Sequence, residues 1–308
     1  MAPDNIPIFG TLTGIFEPSG IRQLPDGRFI VAEDEERPAL SLLRIDADGN
    51  VDSMALEPYR PLGIAVEFWK LVDLEGVAVD QTGYIYAISS HSRNSAGDEK
   101  TSREKLVRFR IEGDRVVEPV EAIGLKRSLL AAHPLLAAAA EIRDVKNMGG
   151  LNIEALAMTP DDSSLLVGFR SPLLEQRAIV AFIENPQAVF ESGEQPVIAA
   201  RLATLDLGGD GIRGMAYVRL LAGYLVISGP TNREQVQFGL WFWGGNSDDP
   251  ARRVTVAGLP GFEHAEGICP ALIDGEQRII IVSDDGSKKT GRFARFLILD
   301  PGQLQIEA

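Results

Sequence analysis

The segments Glu75-Gly76-Val77 and Gly83-Tyr-Ile-Tyr-Ala-Ile-Ser89 contain the pattern that decides the fold of this chain of 308 residues. A polar residue and a small residue open an apolar strand, and a second strand rich in β-branched and aromatic residues follows after a turn. The same order of residues occurs five times in the sequence. The repeats begin at Ser19, Glu75, Glu154, Arg213 and Glu266. An internal repeat built from strands in this way indicates a β-propeller.

The spacing of the repeats predicts a closed ring. Intervals of 56, 79, 59 and 53 residues separate the small residues Gly20, Gly76, Ala155, Gly214 and Gly267. The long second interval contains Leu125–Asn147, a stretch of 23 residues with helical composition, and its removal restores the period. The 41 residues after Gly267 make a further period only together with the first 20 residues. We therefore expect Ile6–Leu12 to form a strand in the same blade as Phe293–Leu299, which removes a free sheet edge.

The predicted fold class is all-β: a single β-propeller domain over residues 1–308 with one helical insertion at about 125–147. Fourth strands are weaker than the first three, and the candidates are Val116–Ala122, Val197–Leu207 and Arg253–Val256. Five blades account for the repeats. Six blades are the alternative, with the extra blade around residues 50–73. We expect the insertion to lie outside the ring and the propeller to remain folded without it, because loop length changes closure entropy slowly.

Composition excludes several classes of function. The net charge is −14, from 30 Lys and Arg against 44 Asp and Glu. This acidity argues against nucleic acid, which needs a basic face, and against docking on anionic membranes. The single cysteine, Cys269, excludes an intramolecular disulfide. Met1–Gly10 has neither the basic nor the apolar region of a signal peptide, and no apolar run spans a bilayer, so the sequence as written predicts a cytoplasmic protein.

The repeat also predicts where charged side chains meet. In antiparallel neighbours, the start of the first strand and the end of the second lie at the same edge of the sheet. The starts of the first strands supply Glu75, Glu154, Arg213 and Glu266, and the residues after the second strands include Glu33-Asp34-Glu35, His91, Arg170, Asp284 and Asp285. One mouth of the channel is therefore expected to hold a carboxylate cluster with two arginines and a histidine.

This set of residue types points to particular chemistry. Several carboxylates close together either have raised pKa values or bind a divalent cation, and oxygen ligands favour Ca²⁺ or Mg²⁺. The predicted metal ligands are Glu75, Glu154 and Glu266. Arginines suit a phosphate or carboxylate on a small anionic substrate. The predicted substrate-binding residues are Arg170, Arg213, Asp284 and Asp285, and the predicted catalytic residues are His91 and Glu154.

Two functions remain open at this point. The first is a hydrolase of phosphoester or lactone type that acts on a small anionic substrate with a divalent cation. The second is a non-catalytic propeller that binds a small ligand or a protein partner. In that case, the glutamates and arginines of the mouth pair with one another and tie neighbouring blades together.

Several segments also resemble a known family. They are Asp73-Leu-Glu75-Gly76-Val, Ser89-Ser-His91-Ser92-Arg93, Asn152-Ile-Glu154-Ala-Leu-Ala, Val167-Gly-Phe-Arg170-Ser-Pro172, Leu205-Asp-Leu-Gly-Gly-Asp-Gly-Ile-Arg213-Gly214 and Val282-Ser-Asp284-Asp285-Gly286. Over nearly the whole chain the sequence resembles the DUF3616 family of bacterial proteins of unknown function, which implies a propeller-like fold and no assigned activity.

The strand starts are similar, more loosely, to those of the esterase-like phytase domain and of gluconolactonase/regucalcin propellers. In the latter proteins a glutamate at a strand start ligates a divalent metal. The present sequence departs from them because it has no matching Asn and Asp pair of ligands at the expected blades. It also has Ala155 after Glu154, where the other repeats that begin with glutamate have glycine.

Overall fold

The computed structural model describes residues 7–34, 39–57, 68–232, 238–259 and 263–308. Ile6, at the start of the predicted N-terminal strand, and Glu35, predicted at the mouth, lie outside these residues. Within them, 21 strands form five antiparallel sheets arranged as a five-bladed β-propeller. The all-β prediction with five blades is confirmed, and the alternative of six blades is wrong.

Each blade is a meander of four strands. The N-terminal strand β1 (Ile8–Thr11) belongs to blade 5. Blade 1 has β2 (Pro18–Gln23), β3 (Phe29–Glu33), β4 (Leu40–Ile45) and β5 (Val51–Ala55); blade 2 has β6 (Leu74–Val79), β7 (Ile85–Ser89), β8 (Leu106–Glu112) and β9 (Arg115–Glu121). Blade 3 has β10 (Asn152–Met158), β11 (Leu165–Ser171), β12 (Ala178–Ile183) and β13 (Ala203–Leu205). Blade 4 has β14 (Gly211–Val218), β15 (Gly223–Gly229), β16 (Gly239–Trp243) and β17 (Arg252–Val256). Blade 5 has β18 (Ala265–Ile273), β19 (Glu276–Ser283) and β20 (Arg295–Leu299) together with β1.

The two ends of the chain join different blades. Strand β1 pairs antiparallel with β20, with Ile8 opposite Ile298, so the N-terminal strand completes blade 5 as predicted. The last strand, β21 (Leu304–Ile306), pairs with β17 and adds a fifth strand to the outer edge of blade 4. The N-terminal strand therefore links blade 5 to blade 1, and the C-terminal strand links blade 5 to blade 4.

The innermost strands pack closely around the channel axis. Strands β2, β6, β10, β14 and β18 each contact the next in the ring. A Cβ atom added to Gly76 would lie 2.6 Å from the backbone nitrogen of Leu156, and one added to Gly214 would lie 1.9 Å from the carbonyl oxygen of Glu266. Small residues after the repeated polar position are therefore required by backbone contact between blades. Ala155 occupies the equivalent place in blade 3 without a positive φ.

The predicted insertion is helical and forms part of the core. It consists of α1 (Leu125–Ala132), α2 (Pro134–Ala140) and α3 (Val145–Met148); a further helix, α4 (Pro186–Ser192), follows β12. Leu125, Leu129 and Leu136 are buried in an apolar cluster with side chains of blades 2 and 3. Removal of the insertion would expose this cluster, which argues against the expectation that the propeller folds without it; that expectation stays a prediction. No helix in the described part of the chain has the length and apolar character needed to cross a membrane.

Arg22 of β2 closes the channel on its axis. Its Nη1 donates to the carbonyls of Ile21 and Ile268 at 2.7 and 2.6 Å, and its Nη2 donates to those of Leu156 and Met215. One guanidinium thus binds carbonyl oxygens of four blades, and burial lowers its pKa. On one side of Arg22 lies a cavity of about 360 Å³. On the other side lies an axial space of about 10 Å³, which is about the room for one water molecule.

Candidate functional site

A β-bulge lies at the start of the innermost strand in every blade. The register with the second strand shifts at the same place in all five sheets, and the skipped residues are Ser19, Glu75, Glu154, Arg213 and Glu266. A bulge leaves its extra residue out of the ladder and redirects the side chain. Glu75, Glu154 and Glu266 all line the axial space above Arg22, which places these three side chains at one end of the channel.

The arginines at this end are paired with glutamates. Nη1 of Arg213 lies 2.6 Å from Oε2 of Glu154, and Arg213 also contacts the carboxylate of Glu266. Arg170 pairs with Oε1 of Glu154 at 3.1 Å and donates from Nε to the carbonyl of Pro230 at 2.9 Å. Asn152 donates to the same Oε1 at 2.7 Å. The two arginines predicted to hold an anionic substrate are therefore engaged with protein groups.

A second group of carboxylates lies beside these ion pairs. Oxygens of Asp34, Asp73 and Glu75 lie within 4.8 Å of one another. Burial, followed by the charges of Asp73 and Glu154, raises the pKa of Glu75 well above its ordinary value. Burial, followed by the charge of Asp34, raises the pKa of Asp73 to about 7. Three close carboxylates with only oxygen donors form a set that suits Ca²⁺ or Mg²⁺. Of the three predicted metal ligands, this group includes Glu75, whereas Glu154 and Glu266 pair with Arg213.

Hydroxyl groups and one guanidinium orient Asp73. Its carboxylate accepts from Oγ of Ser90 and forms an ion pair with Nη2 of Arg103. The same Nη2 donates to Oγ of Ser92 at 3.0 Å, and the hydroxyls of Ser90 and Ser92 lie 2.8 Å apart. Asp73 adopts a left-handed backbone conformation with φ 61°, which is unusual outside glycine. The network fixes the direction of one carboxylate in the cluster.

A cavity of about 790 Å³ opens above the carboxylates. Its floor includes Asp34, Asp73, Glu75 and Glu154, and one wall is formed by the loop 92–97 and the segment 143–147 around the start of α3. Arg93 ties that loop to the end of α2, because it donates to the carbonyls of Ala140 and Gly97 at 2.9 and 3.3 Å. The helical insertion therefore contributes a side of the mouth. It also brings two exposed cationic side chains to the cavity, Arg143 and Lys146.

The remaining predicted residues lie in different surroundings. His91 is buried, its Nδ1 lies 2.9 Å from the carbonyl oxygen of Ser89, and it is not part of the cavity wall. Burial lowers the pKa of His91 to about 4, so the imidazole is neutral at pH 7. Burial raises the pKa of Asp284, which lies in the field of Arg213 and Asp34. Asp285 instead pairs with Arg295 and accepts from Ser283 at 2.8 Å.

The structure brings forward residues that the sequence analysis did not assign. The sequence predicts Asp34 at the mouth without a role, and it assigns no role to Asp73, Arg103 or Asn152. A signal for two of them exists in the repeat: Asp73 and Asn152 each lie two residues before a bulged glutamate, at Glu75 and Glu154. Arg103 has no such signal, because it comes from the loop between β7 and β8, outside the repeated positions.

Comparison with known proteins gives a family and a set of distant structural likenesses. A family model described as "Protein of unknown function (DUF3616)" matches residues 125–296. No curated protein matches the chain by sequence. Among solved structures, the chain is similar to a protein of Thermus thermophilus described as a putative oxidoreductase (glucose dehydrogenase), at 17% identity and TM-score 0.47, over 96% of this chain and 100% of that one.

Two further solved structures show the same degree of likeness. An aldose sugar dehydrogenase from Streptomyces coelicolor, in its PQQ-bound form, is 13% identical with TM-score 0.42, over 99% of this chain and 100% of that one. A gluconolactonase from Xanthomonas campestris is 14% identical with TM-score 0.43, over 99% of this chain and 87% of that one. Likenesses at this level carry no conclusion about activity.

Proposed function

Because the chain belongs to the DUF3616 family, described as proteins of unknown function, we propose a function from its site: a hydrolase of phosphoester or lactone type that acts on a small anionic substrate. A divalent cation, Ca²⁺ or Mg²⁺, is held at Asp34, Asp73 and Glu75, and the substrate occupies the cavity of about 790 Å³ above them. The three carboxylates form the floor of that cavity, and its wall carries cationic side chains.

The state of Glu75 carries this proposal. Among the described residues its carboxylate has no hydrogen bond and no ion pair, and burial, followed by the charges of Asp73 and Glu154, raises its pKa. A desolvated carboxylate without a partner either takes up a proton or meets a cation. Glu154 and Glu266, at the equivalent position of other blades, each have a guanidinium partner. Among the described residues Glu75 is thus the bulged glutamate without an ion pair: the charge of Arg213 acts on it only from a greater distance, and it lies within reach of two further carboxylates.

Residues at the mouth of the channel have separate roles in the proposed reaction. A cation bound at the carboxylates supplies Lewis-acid assistance to hydrolysis. Asn152 and Arg170 fix the direction of Glu154, whose carboxylate borders the substrate space. Asp284, a predicted substrate-binding residue, is not among the residues that line this cavity, and it is given no part in the reaction. His91 is given no part in proton transfer, because it is buried and neutral at pH 7.

Titration calorimetry with Mg²⁺ and Ca²⁺ at pH 8 tests the cation site. The wild type is expected to bind one cation, and Glu75→Gln to lose that binding by at least about tenfold. The matched control is Asp285→Asn, because Asp285 pairs with Arg295 outside the cluster; its affinity is expected to equal that of the wild type. Absence of saturable binding by the wild type overturns the cation site.

A substrate panel tests the reaction. Hydrolysis of p-nitrophenyl phosphate or of a δ-lactone that carries a carboxylate is expected to require added Mg²⁺ or Ca²⁺ and to be lost in Glu75→Gln. Wild-type protein that binds the cation but hydrolyses neither substrate class contradicts the hydrolase and leaves the cation site in place.

A non-catalytic propeller is the second candidate, and the ion pairs of Arg213 favour it. One guanidinium holds Glu154 and Glu266 of neighbouring blades, which is what a structural role for the mouth charges requires. Thermal melts of the wild type with EDTA and with Ca²⁺ separate the two candidates. A ligand that binds only the native state raises its stability, so identical melts favour the scaffold.

A further inference from the structure

We propose that Arg103 is an exchangeable partner of Asp73: it neutralises this carboxylate while no divalent cation is bound, and it binds the anionic group of the substrate once a cation has taken its place. The inference rests on the proposed function, since it needs the cation site. It assigns the anion-binding role to a residue other than Arg170 and Arg213. It also gives the two ligands an order of binding, with the cation first.

The surroundings of Arg103 differ from those of the other guanidinium groups at the mouth. Among the described residues Arg103 has one carboxylate partner, Asp73, and its remaining contacts are the neutral hydroxyls of Ser90 and Ser92 at 3.4 and 3.0 Å. Its Nε is buried without a hydrogen-bond partner. The side chain is 20% exposed and borders the cavity of about 790 Å³. Arg103 therefore combines a single carboxylate partner with a partly exposed side chain at the edge of the substrate space.

Arg213 and Arg170 are not free to exchange their carboxylate partners. Arg213 lies between two glutamates, and its displacement would leave Glu266 as a buried carboxylate without its guanidinium partner. Arg170 is held by Glu154 and by the carbonyl of Pro230. The pairing of Arg103 depends on Asp73, which is a member of the proposed cation site.

Competition for Asp73 follows from the charges. A divalent cation and a guanidinium would share one carboxylate at close range, and like charges repel in a partly buried site. The cation has Asp34 and Glu75 as additional ligands, whereas Arg103 has no other carboxylate among the described residues, so the guanidinium is the group displaced. The planar fork of a guanidinium matches a phosphate or carboxylate with two parallel hydrogen bonds. The exposed Lys146, which lines the same cavity, adds a second positive charge for the anion.

The exchange makes the two binding events cooperative. Before the cation binds, three carboxylates face an incoming anion and repel it. Afterwards their charge is largely neutralised and Arg103 is available. By thermodynamic linkage, the anion must raise the affinity for the cation by the same factor.

Calorimetry of wild type, Arg103→Met and Arg103→Lys with Mg²⁺ and with methyl phosphate tests the exchange. Arg103→Met is expected to bind Mg²⁺ at least about threefold more tightly than wild type, since a competing cation is gone, and to bind methyl phosphate about tenfold more weakly at saturating Mg²⁺. Arg103→Lys keeps the charge and is expected to retain most of the phosphate affinity. Arg143→Met is the matched control: Arg143 lines the same cavity but pairs with Asp98, so its Mg²⁺ affinity should equal that of wild type.

The outcomes separate this inference from the proposed function. No Mg²⁺ binding by wild type means that the cation site itself is absent. Wild type that binds Mg²⁺, with weaker Mg²⁺ binding in Arg103→Met, overturns the exchange alone and makes Arg103 a residue that positions Asp73. If Arg103→Met does not fold, the affinity of wild type for methyl phosphate is measured with and without Mg²⁺. Equal affinities in the two conditions overturn the exchange.

Discussion

Arg213 and Glu154 lie 2.6 Å apart through Nη1 and Oε2, and each is the bulged residue of its innermost strand. Arg213 also contacts Glu266, the bulged residue of the next blade. One guanidinium therefore joins three consecutive blades at the same position of the repeat. The mouth is divided as a result: the charges of blades 3, 4 and 5 are largely paired, while Asp34, Asp73 and Glu75 of blades 1 and 2 retain an excess of negative charge.

Replacement of Arg213 by methionine is expected to lower the free energy of unfolding by about 3–5 kcal/mol, because Glu154 and Glu266 are left as buried carboxylates with fewer partners. The loss should be the same in EDTA and in Ca²⁺, since these groups are not part of the proposed cation site. Urea unfolding followed by circular dichroism measures it. The double variant Arg213→Met with Glu266→Gln should recover part of the loss. A loss that appears only with Ca²⁺ present would contradict the structural role of this pair.

The sequence predicts the ring because the repeat is local: each unit carries its own strand, turn and strand, and the period closes only with the N-terminal strand in blade 5. It also predicts Glu75, Glu154, Arg213 and Glu266 at one end of the channel, since register in an antiparallel sheet follows from strand order. It does not predict which acid meets which base. The pairing of acids with bases depends on short contacts between side chains of neighbouring blades, such as that of Arg213 with Glu154.

Burial explains two further differences between the predictions from the sequence and the structure. His91 follows the second strand of its blade, as predicted, but its side chain is buried in protein. Alternation of buried and exposed residues along a strand does not predict whether the side chain of a loop residue is buried. The insertion looked separable because its removal restores the period. Its buried leucines show that the core of blades 2 and 3 includes it.

Arg22→Met is expected to destabilise the propeller by about 3 kcal/mol or more, because the carbonyls of four blades lose the donor that they share. Arg22→Lys, which has three N–H donors on one nitrogen, should fall between this variant and wild type. Arg219→Met is the matched control, since Arg219 is exposed at the rim of the cavity beneath Arg22. Urea midpoints for Arg22→Met and Arg219→Met that coincide would show that the axial arginine is not a structural tie.

Leu136→Ala tests whether the insertion belongs to the cooperative core. Leu136 of α2 is fully buried, so the free energy of unfolding is expected to fall by about 2–5 kcal/mol with a single transition. Met148→Ala in α3 is the control, because Met148 is 68% exposed and its loss should cost under about 0.5 kcal/mol. An early, separate transition in Leu136→Ala, with the main transition unmoved, would mean that the insertion unfolds independently.

The carboxylates at the mouth predict a pH dependence of stability that a divalent cation reverses. Burial and the charge of Asp34 raise the pKa of Asp73 from 3.8 to about 7, with Glu75 and Arg103 as its other charged neighbours. Below pH 4 both the folded and the unfolded chain hold the proton, and the contribution of Asp73 to stability is fully present. Between pH 4 and 7 the folded chain binds a proton that the unfolded chain has released, so this contribution is lost as the pH rises. The melting temperature of wild type should therefore fall more steeply over this range than that of Asp73→Asn.

Addition of about 10 mM Ca²⁺ should raise the wild-type melting temperature at pH 8 and leave it unchanged at pH 4, where protonated carboxyls do not bind the ion. Asp73→Asn should not respond at either pH. Parallel curves for the two proteins, with and without Ca²⁺, would show that Asp73 neither holds this proton nor binds the cation.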